Sequence, residues 1–449
     1  MKICLFIVTI FISTAFYSQS EFVDYLDSWT TSGLPVTGDG ESVFNEVWGF
    51  VQSSNEYAVI GSTAGAHLFL VNDNNTLDSV GFIQGKHVAT DAVHRDYHDY
   101  NGFLYAVCDE GSSSLQIIDL QYLPDSLHVV YDSDSLMVQV HNIFIDSATA
   151  KLYACGVSKT SGIFPMSIFD ISNPTNPVFL ADYNVVNYVH DAFVRNDSAY
   201  LNCGTQGLFV VDFSNPMLPV PLGNLEFYPD KGYNHSGWLS EDGKTYVMCD
   251  ETQKMKVKVL DVSDLSNIQV ASLFTSGFYE QTLPHNVILK NGIAYVSYYN
   301  DGLQIFDVRN INLPKRVGYY DSYQGSNSGL FRGVWGVYPN LPSGRILISD
   351  RLNGLFLLGF TPPPDVNSDT DFLVFPNPSS QYIYFVHDHF GAADYTIEIF
   401  NLLGQNVDNF QLERDFLYID ISNYKAGIYL LKYSSLLTPN EKIIKFVKR

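Results

Sequence analysis

The chain has 449 residues, 46% hydrophobic, 14% aromatic and only 16% charged, with 48 Asp and Glu against 25 Lys and Arg, a formal net charge of −23. That profile belongs to a folded, acidic protein and not to a disordered one. It leaves no basic stripe to release counterions from a phosphate backbone, so nucleic acid is excluded as a partner and anionic membrane surfaces are disfavoured.

Residues 1–19 place Lys2 ahead of an apolar run from Ile3 to Phe16, followed by small and polar residues. This is the pattern of a secretory signal peptide, with cleavage near Ser18 or Gln19. As a membrane anchor the run is short for a hydrocarbon core of ~30 Å, and it lacks basic stop-transfer residues. Cys4 stands at the start of the run and not at its end, and is badly placed for lipidation.

From residue 20 to 360 one phrase recurs: a strand opened by His or Trp, a Tyr-containing strand, an apolar strand ending in Asp, and a last strand before the next copy. Its anchors are Trp48, His98, His141, His190, His235, His285 and Trp335, at spacings of 50, 43, 49, 45, 50 and 50 residues. Four short strands with turns fill such a repeat, which predicts an all-β, seven-bladed propeller. The clearest copy, residues 285–323, is punctuated by Lys290-Asn291-Gly292, Asn300-Asp301-Gly302 and Pro314, as hairpins are. Asp119, Asp170, Asp212, Asp261 and Asp307 end the third strand of five copies, where Asp accepts turn amides. The last strand is missing from one copy, and Phe22 to Trp29 resembles Arg316 to Tyr323. The N-terminal segment is therefore expected to complete the blade ending at Leu355 to Phe360, closing the ring without open edges.

Residues 361–371, three prolines and then a polar run, read as a linker. Residues 372–449 hold six strand-like runs, predicting a small β-sandwich.

Two resemblances stand on these residues. Pro376-Asn377-Pro378, then Ile399 to Gln405 with Gly404 and Gln405, then Ala426 to Leu431 with Gly427 and Tyr429, then the basic end from Lys442 to Arg449 resemble in order the type A C-terminal sorting domain of the Bacteroidota type IX secretion system. The resemblance implies passage of the inner membrane by the signal peptide and recognition of the tail by the type IX machinery. It further implies tail removal, with the cargo released or attached to surface lipopolysaccharide. Val47-Trp48-Gly49, His98-Asp99, Val140-His141-Asn142, His190-Asp191, Pro284-His285-Asn286 and phrases such as SIFDISNPTNPVFLADY resemble the choice-of-anchor B proteins built from LVIVD-type repeats. That family carries varied surface anchors and implies no settled activity.

His98, His141, His190, His235 and His285 each open an innermost strand and are expected at one height around one channel mouth. Two readings stand. Converging neutral imidazoles could hold a transition metal, Zn²⁺, Cu²⁺ or Fe²⁺ before Ca²⁺, with Asp99 and Asp191 fixing tautomers. Alternatively each imidazole is a blade pillar bonded to a turn carboxylate, for which Asp109, Asp250, Asp301 and Asp350 are available. Tyr233, Trp238 and the Tyr298-Tyr299 pair add aromatic surface nearby, although most aromatics should be core. His387 and His389 form an H-x-H read as solvated. Cys108, Cys155, Cys203 and Cys249 recur at 47, 48 and 46 residues. Equivalent points on neighbouring blades stand too far apart for disulfides, so these should be buried free thiols. No nucleophile elbow, P-loop, HExxH or EF-hand occurs. The expected function is an exported, monomeric binding module for a protein or glycan; the alternative is a metal-dependent enzyme at the histidine mouth.

Overall fold

The computed structural model describes residues 20–38, 42–279, 281–323, 325, 331–363, 372–375, 377–387, 395–412, 416–435 and 441–449. The expected leader (residues 1–19), most of the linker, Pro376 and His389 lie outside the described residues.

Seven antiparallel sheets follow one another along the chain. Blade 1 runs from Phe44 to Gln84, blade 2 from Arg95 to Ser133, blade 3 from Gln139 to Tyr183, blade 4 from Asp191 to Leu225 and blade 5 from Asn234 to Phe274. Blade 6 runs from Val287 to Tyr320 and gains a fifth, two-residue strand, Ser20–Glu21. Blade 7 supplies its first three strands from Val334 to Phe360, and its outer strand is Val23–Trp29. First strands pack against first strands of the neighbouring blades, giving the seven-bladed propeller.

Alternation along the strands supplies the interface between blades. Tyr57, Tyr105, Tyr153 and Tyr246, the recurring Tyr of the second strands, are fully buried. The four cysteines are buried and free, filling the small positions of those strands and the turns after them. All five third-strand aspartates accept the amide two residues on: Gln121 (2.9 Å), Ser172 (2.7 Å), Ser214 (2.7 Å), Ser263 (3.0 Å) and Arg309 (2.9 Å). A short carboxylate there satisfies backbone donors that the strand can no longer reach.

Closure joins blade 7 to blade 1. Tyr338, Leu341, Leu347, Leu355 and Leu357 pack on Phe44, Val47, Ile60 and Phe69 in one apolar cluster that Leu26 and Trp29 cover. Arg345 donates to Glu56 across the seam (2.9 Å), and the Val43 and Phe44 amides bond the Arg351 carbonyl at 2.7 and 3.0 Å.

The C-terminal unit stacks a three-stranded sheet (Phe372–Phe375, Tyr382–His387, Phe416–Asp420) on a four-stranded one (Asn406–Leu412, Tyr395–Asn401, Gly427–Ser435, Glu441–Lys448). Ile383, Phe385, Ile397, Ile399, Ile419, Leu431 and Phe446 fill the space between them, as in a small sandwich.

Deleting residues 20–30 should expose the Gly354–Phe360 edge and uncover the closure cluster. The unfolding midpoint is expected to fall by at least about 5 °C, with aggregation through the bare edge. An unchanged midpoint and monomeric elution would contradict the closing role of this segment.

Candidate functional site

Convergence of seven first strands places their residues in levels along the channel. At the crossover end, six aromatic side chains close a ring. Its centroid spacings are 5.0 Å (His94 to His141), 4.1 Å (to His190), 4.0 Å (to His235), 4.3 Å (to His285), 4.5 Å (to Trp335) and 5.3 Å (back to His94). Four of the five histidines singled out by the repeat are brought together here; His98 is not. The blade 2 member is His94, because Arg95, at the repeat position, turns its guanidinium away to the Ser62 carbonyl (2.7 Å). His98 lies four residues further on, inside the strand Arg95–Tyr100, stacked on Trp48 (4.4 Å) and Phe144 (5.2 Å), with Nδ1 donating to the Asp99 carbonyl.

The ring histidines are oriented from behind. Nδ1 of His190 donates to the His235 carbonyl (3.1 Å) and Nδ1 of His285 to the Trp335 carbonyl (2.6 Å). Nδ1 of His141 meets Asp109 Oδ2 at 2.8 Å, and Nδ1 of His94 meets Glu110 Oε1 at 2.5 Å. Carbonyls and carboxylates only accept, so these four rings carry Nδ1–H, and in His190 and His285, which burial keeps neutral, the Nε2 lone pair is left free. His235 Nδ1 makes no hydrogen bond, and Ser236 Oγ occupies the His285 carbonyl at 2.7 Å. Burial, reinforced by neighbouring histidines, holds His190 and His235 well below the usual imidazole range, and burial does the same to His285.

Only Asp109 serves as the turn carboxylate expected for an imidazole. Asp250 instead takes Lys258 (2.9 Å), Tyr228 and the Gly232 amide, Asp301 takes Ser276, and Asp350 takes Ser322 and two turn amides. Asp99 accepts from Trp48 Nε1 (2.8 Å) and Asp191 from the Ala192 amide (2.6 Å), so neither fixes a tautomer. A third carboxylate, Glu251, stands on the channel side of the ring, 3.7 Å from His235 Nε2 and 3.9 Å from His285 Nε2, held by the Tyr299 hydroxyl at 2.5 Å. Tyr233 stands beside His190 (5.5 Å), Tyr298 is core, and Trp238 belongs to the far level.

Beneath the ring lies a polar level, with Glu46, Asp96, Asn142, Asp191, Ser236 and Asn286 along the channel. Asn286 Nδ2 donates to Glu46 (2.8 Å) and the Ile143 amide to Asp96 (2.7 Å). Gly336 fills the seventh place because a Cβ there would stand 2.0 Å from Glu46 Oε1. Burial and mutual repulsion push Glu46 up to about 8; burial pushes Asp96 to about 7 and, with the charge of Asp96, raises Asp191. The far level is aromatic: Trp48, His98, Phe144, Phe193 and Trp238 in contact, with Tyr338 against Trp48.

In the C-terminal unit, Asn377 acts as a piece of strand: Nδ2 donates to the Lys445 carbonyl (3.0 Å) and Oδ1 accepts from the Val447 amide (2.9 Å). Pro378, beside it, is exposed. The Asn401 carboxamide ties the hairpin through the Leu403 and Gln405 amides, and Gly404 takes the positive φ of +75° that this turn needs. Leu402 and Leu403 are thereby held out in solvent. Gly427 opens the next strand, and Tyr429 is buried against Phe446 with its hydroxyl on the Lys425 carbonyl (2.9 Å).

Residues 373–448 match the secretion system C-terminal sorting domain. The C-terminal unit is a type IX secretion sorting domain. It marks the chain for export to the cell surface or the medium and for contact with the type IX machinery. Residues 165–185 and 188–225 match the LVIVD repeat, the span of blades 3 and 4. Among solved structures the chain is similar to PorZ, a bacterial surface component of the type IX secretion system of Porphyromonas gingivalis, at 11% identity over 94% of this chain (TM-score 0.48), and it spans 61% of that protein's length. The Neurospora crassa Pan2 WD40 domain matches at 13% identity over 78% of this chain and 98% of its own (TM-score 0.53), and the RRP9 WD40 repeats at 9% over 76% and 97% (TM-score 0.52). The two WD40 likenesses bear on fold alone. No curated protein matches the chain in sequence.

The polar level makes stability depend on pH. Glu46 binds its proton more tightly folded, with a pKa of about 8, than unfolded, at the ordinary value of 4.5. The folded state therefore loses stability as pH rises between those values, and none below both. Glu46→Gln is expected to be more stable than wild type at pH 8, by up to about 4 kcal/mol, with the gap closing toward pH 4.5. Thermal melts across that range check it; a pH-independent gap would contradict the burial of this charge.

Proposed function

We propose that the exported propeller is a binding module whose recognition face is the crossover side of the ring. The observation that carries this reading is the crossovers themselves. Val36, Val88, Val185, Phe227, Tyr279 and Phe331 lie in six of the seven segments between blades, on the face that carries the histidine ring, and all are exposed, Phe227 to 89%. Apolar side chains repeated around a polar mouth are the composition of a protein-binding patch. The ring opening itself, bounded by neighbouring side chains in contact, suits a water or an ion and not a sugar, so a protein or glycan partner would engage the rim. A second reading, a metal-dependent enzyme, is favoured by Glu251 standing between His235 and His285, two nitrogens and an oxygen with a position left open.

In this proposal residues 1–19 take the chain across the inner membrane, and the sorting domain takes it across the outer one. Removing residues 372–449 is expected to leave the protein inside the outer membrane; surface protease accessibility equal to that of the full chain would sink the assignment. The double change Phe227→Ser with Phe331→Ser is expected to weaken binding of the exported protein to components of the producing cell's surface by about tenfold, with melting unchanged. Equal binding would leave the crossover face without this role.

A further inference from the structure

Two groups of side chains at the mouth bring three donor atoms within 4.8 Å of one another: His94, Asp109 and His141, and His235, Glu251 and His285. The first is already closed, since Asp109 takes His141 Nδ1 at 2.8 Å and His94 is bonded to Glu110. The second is open. Neither imidazole makes a hydrogen bond with Glu251, which stands 3.7 and 3.9 Å from their Nε2 atoms. His235 is 5% exposed, and its Nδ1 has no partner.

We infer that this end of the channel holds one divalent transition-metal ion, bound by Nε2 of His235, Nε2 of His285 and the carboxylate of Glu251. The inference rests on reading the mouth as the ligand-binding end of the propeller. Bonds of about 2.0–2.1 Å to a tetrahedral ion set donors roughly 3.4 Å apart, so the 3.7 and 3.9 Å His–Glu separations need contraction of less than ~1 Å. Orientation is already supplied. The Trp335 carbonyl holds His285 with its Nε2 lone pair free, and the Tyr299 hydroxyl holds Glu251, the outer contacts that metal-binding side chains require. Two imidazoles and a carboxylate select Zn²⁺, or Cu²⁺ and Ni²⁺, over the all-oxygen preference of Ca²⁺ and Mg²⁺. The fourth position faces His190, whose ring lies 4.0 Å from that of His235 and whose Nε2 is free, or a water on the channel axis.

The test uses the untagged full chain, loaded with Zn²⁺, dialysed and analysed for bound metal, and then loaded with Co²⁺ for its visible absorption. One equivalent and tetrahedral cobalt bands are expected for wild type and for His128→Ala, an exposed histidine outside the channel. Glu251→Gln, nearly isosteric, and His285→Ala should each bind at least about tenfold more weakly and lose the cobalt spectrum. Wild type without retained metal or cobalt bands, or both site variants binding as wild type does, would overturn the site. The Phe227 and Phe331 changes probe the rim and not these ligands, so an empty metal site with rim binding intact defeats only this inference. Bound metal with an inert rim defeats only the protein-binding reading.

Discussion

Seven first strands converge on one axis, and this crowding governs what the rest of the molecule can be. A residue repeated once per blade is carried to a single height of the channel, so a linear period of 45 to 50 residues becomes a ring. The closed circle of His94, His141, His190, His235, His285 and Trp335 is this rule applied to aromatic side chains. So is the polar level below it. Convergence holds only while the circle is shut, which makes the pairing of Val23–Trp29 with Gly354–Phe360 a condition of the site as well as of the fold.

The channel is graded along its length. Imidazoles and Glu251 occupy the crossover end, carboxylates and amides the middle, and aromatic rings the far end. Three carboxylates share one level of the channel, and desolvation, joined by repulsion at Glu46 and Asp191, raises all three above the usual carboxylate range, a destabilising arrangement that a core chosen for stability alone would replace with apolar side chains. Gly336, cleared to admit the Glu46 carboxylate, shows that the surrounding blades are shaped around this charge. Such a cost is the usual mark of a functional interior.

The fold was legible because each cue is local: hairpin turns, alternation, and a third-strand Asp whose carboxylate accepts the amide two residues on. Even the closing strand could be found, by counting outer strands against first strands. The site was legible only in outline. The anchor spacings held one outlier, 43 residues between His98 and His141, and that outlier marks the slip in register. Replacing His98 by His94 restores a spacing of 47. Trp48, His98, Phe144, Phe193, Trp238, Ile288 and Tyr338 form their own series one level deeper, at 50, 46, 49, 45, 50 and 50 residues. Two interleaved series on the same strands cannot be told apart by residue type when a His occurs in both. Glu251 was hidden for another reason: it follows a second strand that ends at Asp250, and its triplet Cys249-Asp250-Glu251 recurs only once more, as Cys108-Asp109-Glu110, so it does not stand out as a residue repeated in every blade.

The two readings of the histidines, structural pillar and metal ligand, exclude each other only if an imidazole is counted as one group. It has two nitrogens, and the blade geometry separates their duties. Nδ1 of His190 and of His285 ties its blade to the next through a main-chain carbonyl, a bond that any such propeller can repeat without regard to ligand. That same bond fixes the proton on Nδ1 and leaves Nε2 as a bare acceptor facing the channel. With burial keeping these rings neutral, the ring remains an acceptor set through the physiological range. A carboxylate pillar of the WD type would also fix the tautomer, but it would bring a negative charge to every blade. Main-chain carbonyls do so without charge, leaving Glu251 as the carboxylate that meets both His235 and His285. At His190 and His285 this hydrogen bond is thus what readies Nε2 for a ligand, and there the two roles follow from one arrangement.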